Sequence, residues 1–183
     1  MKMTLKLKLI GAALAVTALF GCGGDGGGSG PVADTYVFPA GKATLTFPAM
    51  STAQLGAPVS GIDFTLKLPA GMSVTTASGG SGQIETASVT AGTALTGTNL
   101  AYGSYSASTR KAYLTMATTS DTYRAGEFLR LSCTVGSGTS ITLADLKALN
   151  SPTTLTKAVG LDAGTSTTVQ LTDKVRLTIG AVR

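Results

Sequence analysis

The sequence predicts an all-β protein built as an antiparallel β-sandwich, and three observations carry that expectation. From Thr35 onward apolar residues recur with a period of two, the repeat of a strand with one buried face. Glycine- and proline-bearing turns break this pattern into many short segments, which pack most simply as two sheets face to face. Charged residues make up only 13% of the chain while glycine, alanine, serine and threonine abound, a balance that suits an exported β-rich protein better than a cytosolic enzyme. The 183 residues suffice for one domain with little left for a second, and a domain near 150 residues buries roughly 70% of its unfolded surface without needing a staple.

The first element is an address. Met1–Lys8 carries three lysines, Leu9–Phe20 is an apolar run of twelve residues with Thr17 its one polar member, and Gly21-Cys22 follows. A charged start, a short apolar run and a small residue before a cut describe a secretory signal, and the run is too short to span a bilayer as a helix. Ala18-Leu19-Phe20-Gly21-Cys22 resembles the lipobox of bacterial lipoproteins, with Phe20 standing where a smaller residue is usual. The resemblance implies cleavage after residue 21, diacylglycerol on the Cys22 sulfur and, usually, acylation of the new amine. Two or three acyl chains anchor a protein stably where one does not. Gly23 rather than Asp after the cysteine implies sorting to the outer membrane or cell surface.

Residues 22–34 read as a glycine-rich tether, which cannot bury apolar surface and has a root-mean-square reach of about 20 Å from Gly23 to Asp34. The domain then occupies 35–183. Loss of Lys2, Lys6 and Lys8 with the signal leaves eleven basic against nine acidic residues, too even a balance for a nucleic-acid partner.

Within the domain, Gly61–Pro69 alternates Ile62, Phe64, Leu66 and Leu68 with Asp63, Thr65 and Lys67. Glu127–Val135 places Leu129, Leu131, Cys133 and Val135 opposite Arg130, Ser132 and Thr134, and the last segment sets Val175, Leu177 and Ile179 against Lys174, Arg176 and Thr178. Leu45 with Phe47, Val74, Val89, and either Leu114 with Met116 or Tyr113 with Thr115, mark further strands. Thr142-Leu-Ala-Asp145 has the form of a capping box before Leu146–Leu149, so this stretch is either one helical turn or the start of another strand.

The order of segments resembles a cohesin-like domain of the carbohydrate-binding β-sandwich superfamily. The resemblance is carried by Ala40-Gly41-Lys42, by Gly61–Pro69, by Lys111–Thr118 and by Ala125–Val135. It implies a jelly roll of about nine strands. Cohesins bind a calcium-loaded dockerin and assemble polysaccharide-degrading enzymes. The turn after the Gly61 strand reads Leu68-Pro69-Ala70-Gly71 here rather than an Asp-Pro-rich turn, so no dockerin-contact residue carries over.

Absence of histidine excludes Ser-His-Asp and Cys-His catalysis, His-ligated zinc and bis-His haem. With Cys22 given to lipid, Cys133 is a lone thiol on an inward phase and reads as a small core residue. The two glutamates, Glu85 and Glu127, read as solvated charges, not a glycosidase pair. Asp162 and Asp173 lack the interleaved oxygen ligands of a calcium loop, and Gly79–Gly82 lacks the context of a phosphate cradle. No cofactor, metal or catalytic residue is expected. The ligand-contacting candidates are Tyr102, Tyr105 and Tyr123, aromatics expected on loops, where a ring offers an apolar face and a wet tip. Lys67, Arg130, Lys174 and Arg176 would form a basic patch only if their strands adjoin. The chain thus reads as a membrane-tethered, non-enzymatic interaction module with an extracellular protein as partner, or alternatively as a carbohydrate-binding module in polysaccharide catabolism.

Overall fold

The computed structural model describes residues 30–183. The signal expected over 1–21, the lipid site Cys22 and the tether up to Ser29 lie outside the described residues. The chain enters the fold before Thr35: Pro31 bridges Val182, and the Val32 N–H donates to the Ala181 carbonyl at 3.2 Å.

Eleven strands are present among the described residues: β1 (Gly41–Ser51), β2 (Val59–Lys67), β3 (Met72–Ser73), β4 (Val89–Ala91), β5 (Asn99–Ser106), β6 (Lys111–Thr118), β7 (Gly126–Val135), β8 (Thr154–Asp162), β9 (Thr167–Gln170), β10 (Val175–Leu177) and β11 (Gly180–Val182), with one helix, α1 (Leu143–Leu149), between β7 and β8. They form two antiparallel sheets packed as a sandwich, as the alternation requires. One has the order β5-β6-β2-β8-β9. In the other, β1 and β7 run side by side, with β10 and β11 sharing the free edge of β1 and β3 and β4 sharing that of β7.

That sharing is why eleven strands stand where about nine were expected. On the β1 edge the ladder lapses beside Pro48, which has no N–H to donate. Its carbonyl still accepts from the Thr178 N–H at 2.9 Å, and the chain then pairs afresh as β11. On the other side of β1 the register shifts at the same place, Phe47 facing Leu129 and Pro48 facing Glu127, so Phe128 is the extra residue of a bulge. A bulge re-aims its side chain: Phe128 and Leu129 are both buried, and the Phe128 ring lies 5.8 Å edge-on from Phe64. Phe64 also meets Phe47 at 4.9 Å, so three rings from β1, β2 and β7 join the sheets. Aromatic contacts of this kind add to the area they bury.

The inward phases run as read: Ile62, Phe64, Leu66 and Leu68, then Leu131, Cys133 and Val135, then Val175, Leu177 and Ile179 are all buried. Of the two phases open for β6, Leu114 and Met116 point inward and Tyr113 outward. Gly103 sits on the inner side of β5, where a Cβ would lie 2.5 Å from the Tyr113 carbonyl oxygen. Only glycine lets β5 and β6 approach so closely.

The capping box is real. The Asp145 N–H donates to Thr142 Oγ1 at 3.0 Å, and Asp145 Oδ2 accepts from the Thr142 N–H at 2.9 Å. The Thr142 hydroxyl, which donates to Asp145 Oδ2 at 2.6 Å, and then the Thr142 N–H hold the exposed Asp145 carboxyl below the usual carboxylate range. Leu143 and Leu146 are the buried side of α1, and its C-terminal end reaches the outer face of the five-stranded sheet.

Candidate functional site

The outer face of the five-stranded sheet follows directly from its register. One row across β5, β6, β2 and β8 reads Tyr102, Thr115, Asp63, Lys157; the next reads Ser104, Tyr113, Thr65, Thr154; a third reads Ser106, Lys111, Lys67. Leu100, opposite Ala117, extends the face past the first row. Every second residue along these strands is buried beneath it, and the face itself is open to solvent. Tyr102, Tyr113 and Leu100 are 49%, 55% and 60% exposed. Tyr102 and Tyr113 stand on adjacent strands one row apart, a diagonal that aromatic side chains can bridge.

At one end of this face lies a groove of about 310 Å³. Its floor is Thr65, Lys67, Lys111 and Tyr113, and its wall is the segment from Leu149 to Pro152 where α1 ends. Asn150 pins wall to floor. Its Oδ1 accepts from the Lys67 N–H at 2.7 Å, and its Nδ2 donates to the Lys67 carbonyl at 2.8 Å and to the Leu146 carbonyl at 2.8 Å. Asn150 is buried and its bond to Leu146 is shielded from water, while the two to Lys67 are half-buried; together they rigidify the groove.

The other sequence candidates fall elsewhere. Tyr105 is on β5, not on a loop, and faces inward. Burial pushes its phenol up, with Cys133 adding to the rise and Arg110 opposing it. Tyr123 does lie on a loop, but its ring is buried, its hydroxyl donates to the Gly126 carbonyl at 3.1 Å, and burial pushes its pKa up strongly. Neither ring offers a stacking face to solvent in this state. Tyr102 does, from a strand. Tyr113 was missed, although the alternation that sends Leu114 and Met116 inward also sends it out.

The four basic residues considered as one patch are divided between the sheets. Lys67 lies on β2, whereas Arg130 is on β7, where its Nε donates to Glu127 Oε1 at 2.7 Å, and Lys174 and Arg176 are at and before β10. Glu127 also accepts from the Thr93 N–H at 3.1 Å, which makes it a tie between loop and strand. Asp162 Oδ1 accepts from the Gly164 N–H at 2.8 Å and shapes the β8–β9 turn; that bond, then Thr165, lowers its pKa. Among the described residues, no three His, Cys, Asp or Glu side chains come together as metal ligands, and no helix is long and apolar enough to cross a membrane.

Cys133 is buried on the inner side of β7, and desolvation pushes its thiol up to about 12, the opposite of what a nucleophile requires. A second groove, of about 900 Å³, opens between β10 and β8, with Leu155, Val175, Leu177 and Ile179 inside and Lys147, Asp173 and Arg176 among the residues around it. It shares the Asn150–Thr154 segment with the smaller groove but has no aromatic side chain.

No family model, curated protein or solved structure matches this chain.

Proposed function

We propose that this chain is an exported lipoprotein, held at the outer membrane or cell surface through Cys22 and its glycine tether, whose folded domain is a non-enzymatic interaction module. The observation that carries the module reading is the open five-stranded face. Leu100, Tyr102 and Tyr113 stay exposed there in one contiguous area of the sheet. Scattered apolar residues need no explanation, but a contiguous exposed patch marks a binding surface. A flat face four strands wide suits another extracellular protein, the partner that the cohesin-like resemblance implies.

A second reading, a carbohydrate-binding module in polysaccharide capture or breakdown, is favoured by the Tyr102–Tyr113 diagonal among the hydroxyls of Ser104, Thr65 and Thr115. Aromatic faces stack on sugar rings, and hydroxyls both donate and accept.

The anchor is tested by labelling cells with a palmitate analogue: wild type becomes labelled and Cys22→Ala does not, and equal labelling ends the lipoprotein reading. The module is tested by pull-down from the outer-membrane fraction alongside a panel of soluble and insoluble glycans. Tyr102→Ala with Tyr113→Ala abolishes whichever binding is found. Binding that survives both substitutions moves the interface off this face.

A further inference from the structure

We infer that the groove bounded by Lys67, Lys111, Tyr113 and the Leu149–Pro152 wall is a subsite for an acidic sugar, a uronic-acid residue of a polysaccharide; this rests on the carbohydrate reading of the five-stranded face. The argument begins with charge. Lys67 and Lys111 face each other directly across the β2–β6 ladder. Like charges at opposed positions destabilise a sheet, and nothing nearby relieves this pair. Among the described residues the ion pairs are Arg130 with Glu127 and Lys147 with Asp34, so neither lysine has a carboxylate partner. Asp63, the acidic residue of this face, stands two rows away beside Lys157. Two lysines at opposed positions on the floor of one groove are complementary to a carboxylate.

Shape and surface chemistry narrow the occupant to a sugar. Tyr113 offers an exposed ring next to the lysines, and Thr65 and Thr154 offer hydroxyls in its own row. A pyranose uronate needs these three things together: an aromatic face for its C–H side, hydroxyl partners for its rim and a cation for its carboxylate. An acidic polypeptide would use the lysines and leave the ring and hydroxyls with less to do. The groove is also preformed. Asn150 holds the Lys67 backbone from both its N–H and its carbonyl, so the backbone of the groove needs little ordering by the ligand.

The test is binding of the intact lipidated protein in detergent to polygalacturonate, to neutral galactan and to poly-glutamate, by calorimetry at low and at physiological salt. The inference expects polygalacturonate to bind at least tenfold tighter than galactan and poly-glutamate, with affinity falling as salt is added. Lys67→Ala and Lys111→Ala each lose about tenfold, the equivalent of 1.4 kcal/mol. Both variants unfold at the same temperature as wild type or higher, because a like-charge pair has been removed. Equal binding of polygalacturonate and galactan overturns the acidic subsite and leaves the carbohydrate reading standing. Tighter binding of poly-glutamate overturns the sugar assignment in favour of an acidic protein. Binding to neither glycan overturns the carbohydrate reading and this inference with it.

Discussion

The two sheets share one core yet turn very different faces to solvent. The outer side of the β1–β7 sheet presents Thr44, Ser132 and Thr134, an Arg130 neutralised by Glu127, and a Thr46 nearly covered beside Gly180. Among its strands the exposed large apolar side chain is Met50, at the far end opposite Arg176. This is what alternation and solubility alone ask of a sheet. The five-stranded face departs from that pattern, with two exposed tyrosines, two exposed leucines, Leu100 and Leu161, and a pair of opposed lysines. Both sheets bury their inner rows in one core, so the difference lies in the outward-facing residues alone. The outer residues of a strand are free to vary, and here only the five-stranded sheet places several large apolar and aromatic side chains there.

Removing what both faces stand on gives the largest expected effect. Phe64 is fully buried and touches rings from β1 and β7, the two long strands of the opposite sheet. Phe64→Ala therefore costs about 3–5 kcal/mol, read as a lower midpoint in denaturant unfolding, and both faces are lost in one transition. Two transitions would mean that the sheets are less coupled than this packing implies.

Cys133 lies on the inner side of β7, in the core between the sheets and near enough to Tyr105 of β5 to raise its pKa. Cys133→Ser buries a hydroxyl with no partner and costs about 1–3 kcal/mol. A neutral outcome would place the strand phase in doubt. The native thiol, raised from its ordinary 9.0 to about 12, stays unreactive toward a disulfide reagent at pH 8 until the domain unfolds. An acid whose folded pKa is raised favours the fold only while neutral. Its contribution is thus complete below about pH 9 and is lost as pH rises from there toward 12.

The smallest effect on stability sharpens the comparison most. Tyr102→Ala and Tyr113→Ala each fall within about 0.5 kcal/mol of wild type, as exposed positions do, whereas Tyr123→Ala costs several times more because its ring and its hydroxyl bond are both buried. A large loss at Tyr102 or Tyr113 would show that these rings serve the fold.

The architecture was legible because a half-buried strand writes its phase into the sequence, as in Gly61–Pro69, and because a capping box is a local signal, as in Thr142–Asp145. The site was less so. Tyr102 and Tyr105 are three residues apart, and in a strand that spacing puts them on opposite sides. Placing them on a loop near Gly103 hid the fact that one must be core if the other is surface. Asn150 and Lys67 are separated by 83 residues, and the opposition of Lys67 to Lys111 exists only once β2 and β6 pair. No local pattern encodes either. The strand count failed for a related reason, since the split edges depend on Pro48 meeting a strand from the far end of the chain.

The claim that one face binds and the other does not is tested most directly by site-specific photo-crosslinking in the native cell. A benzoylphenylalanine is placed at position 102 or 113 on the one face and at 44 or 132 on the other. The account predicts crosslinked adducts, resolved by mass spectrometry as protein or glycan, from 102 and 113 only. Adducts from 44 and 132 with none from 102 and 113 would contradict it.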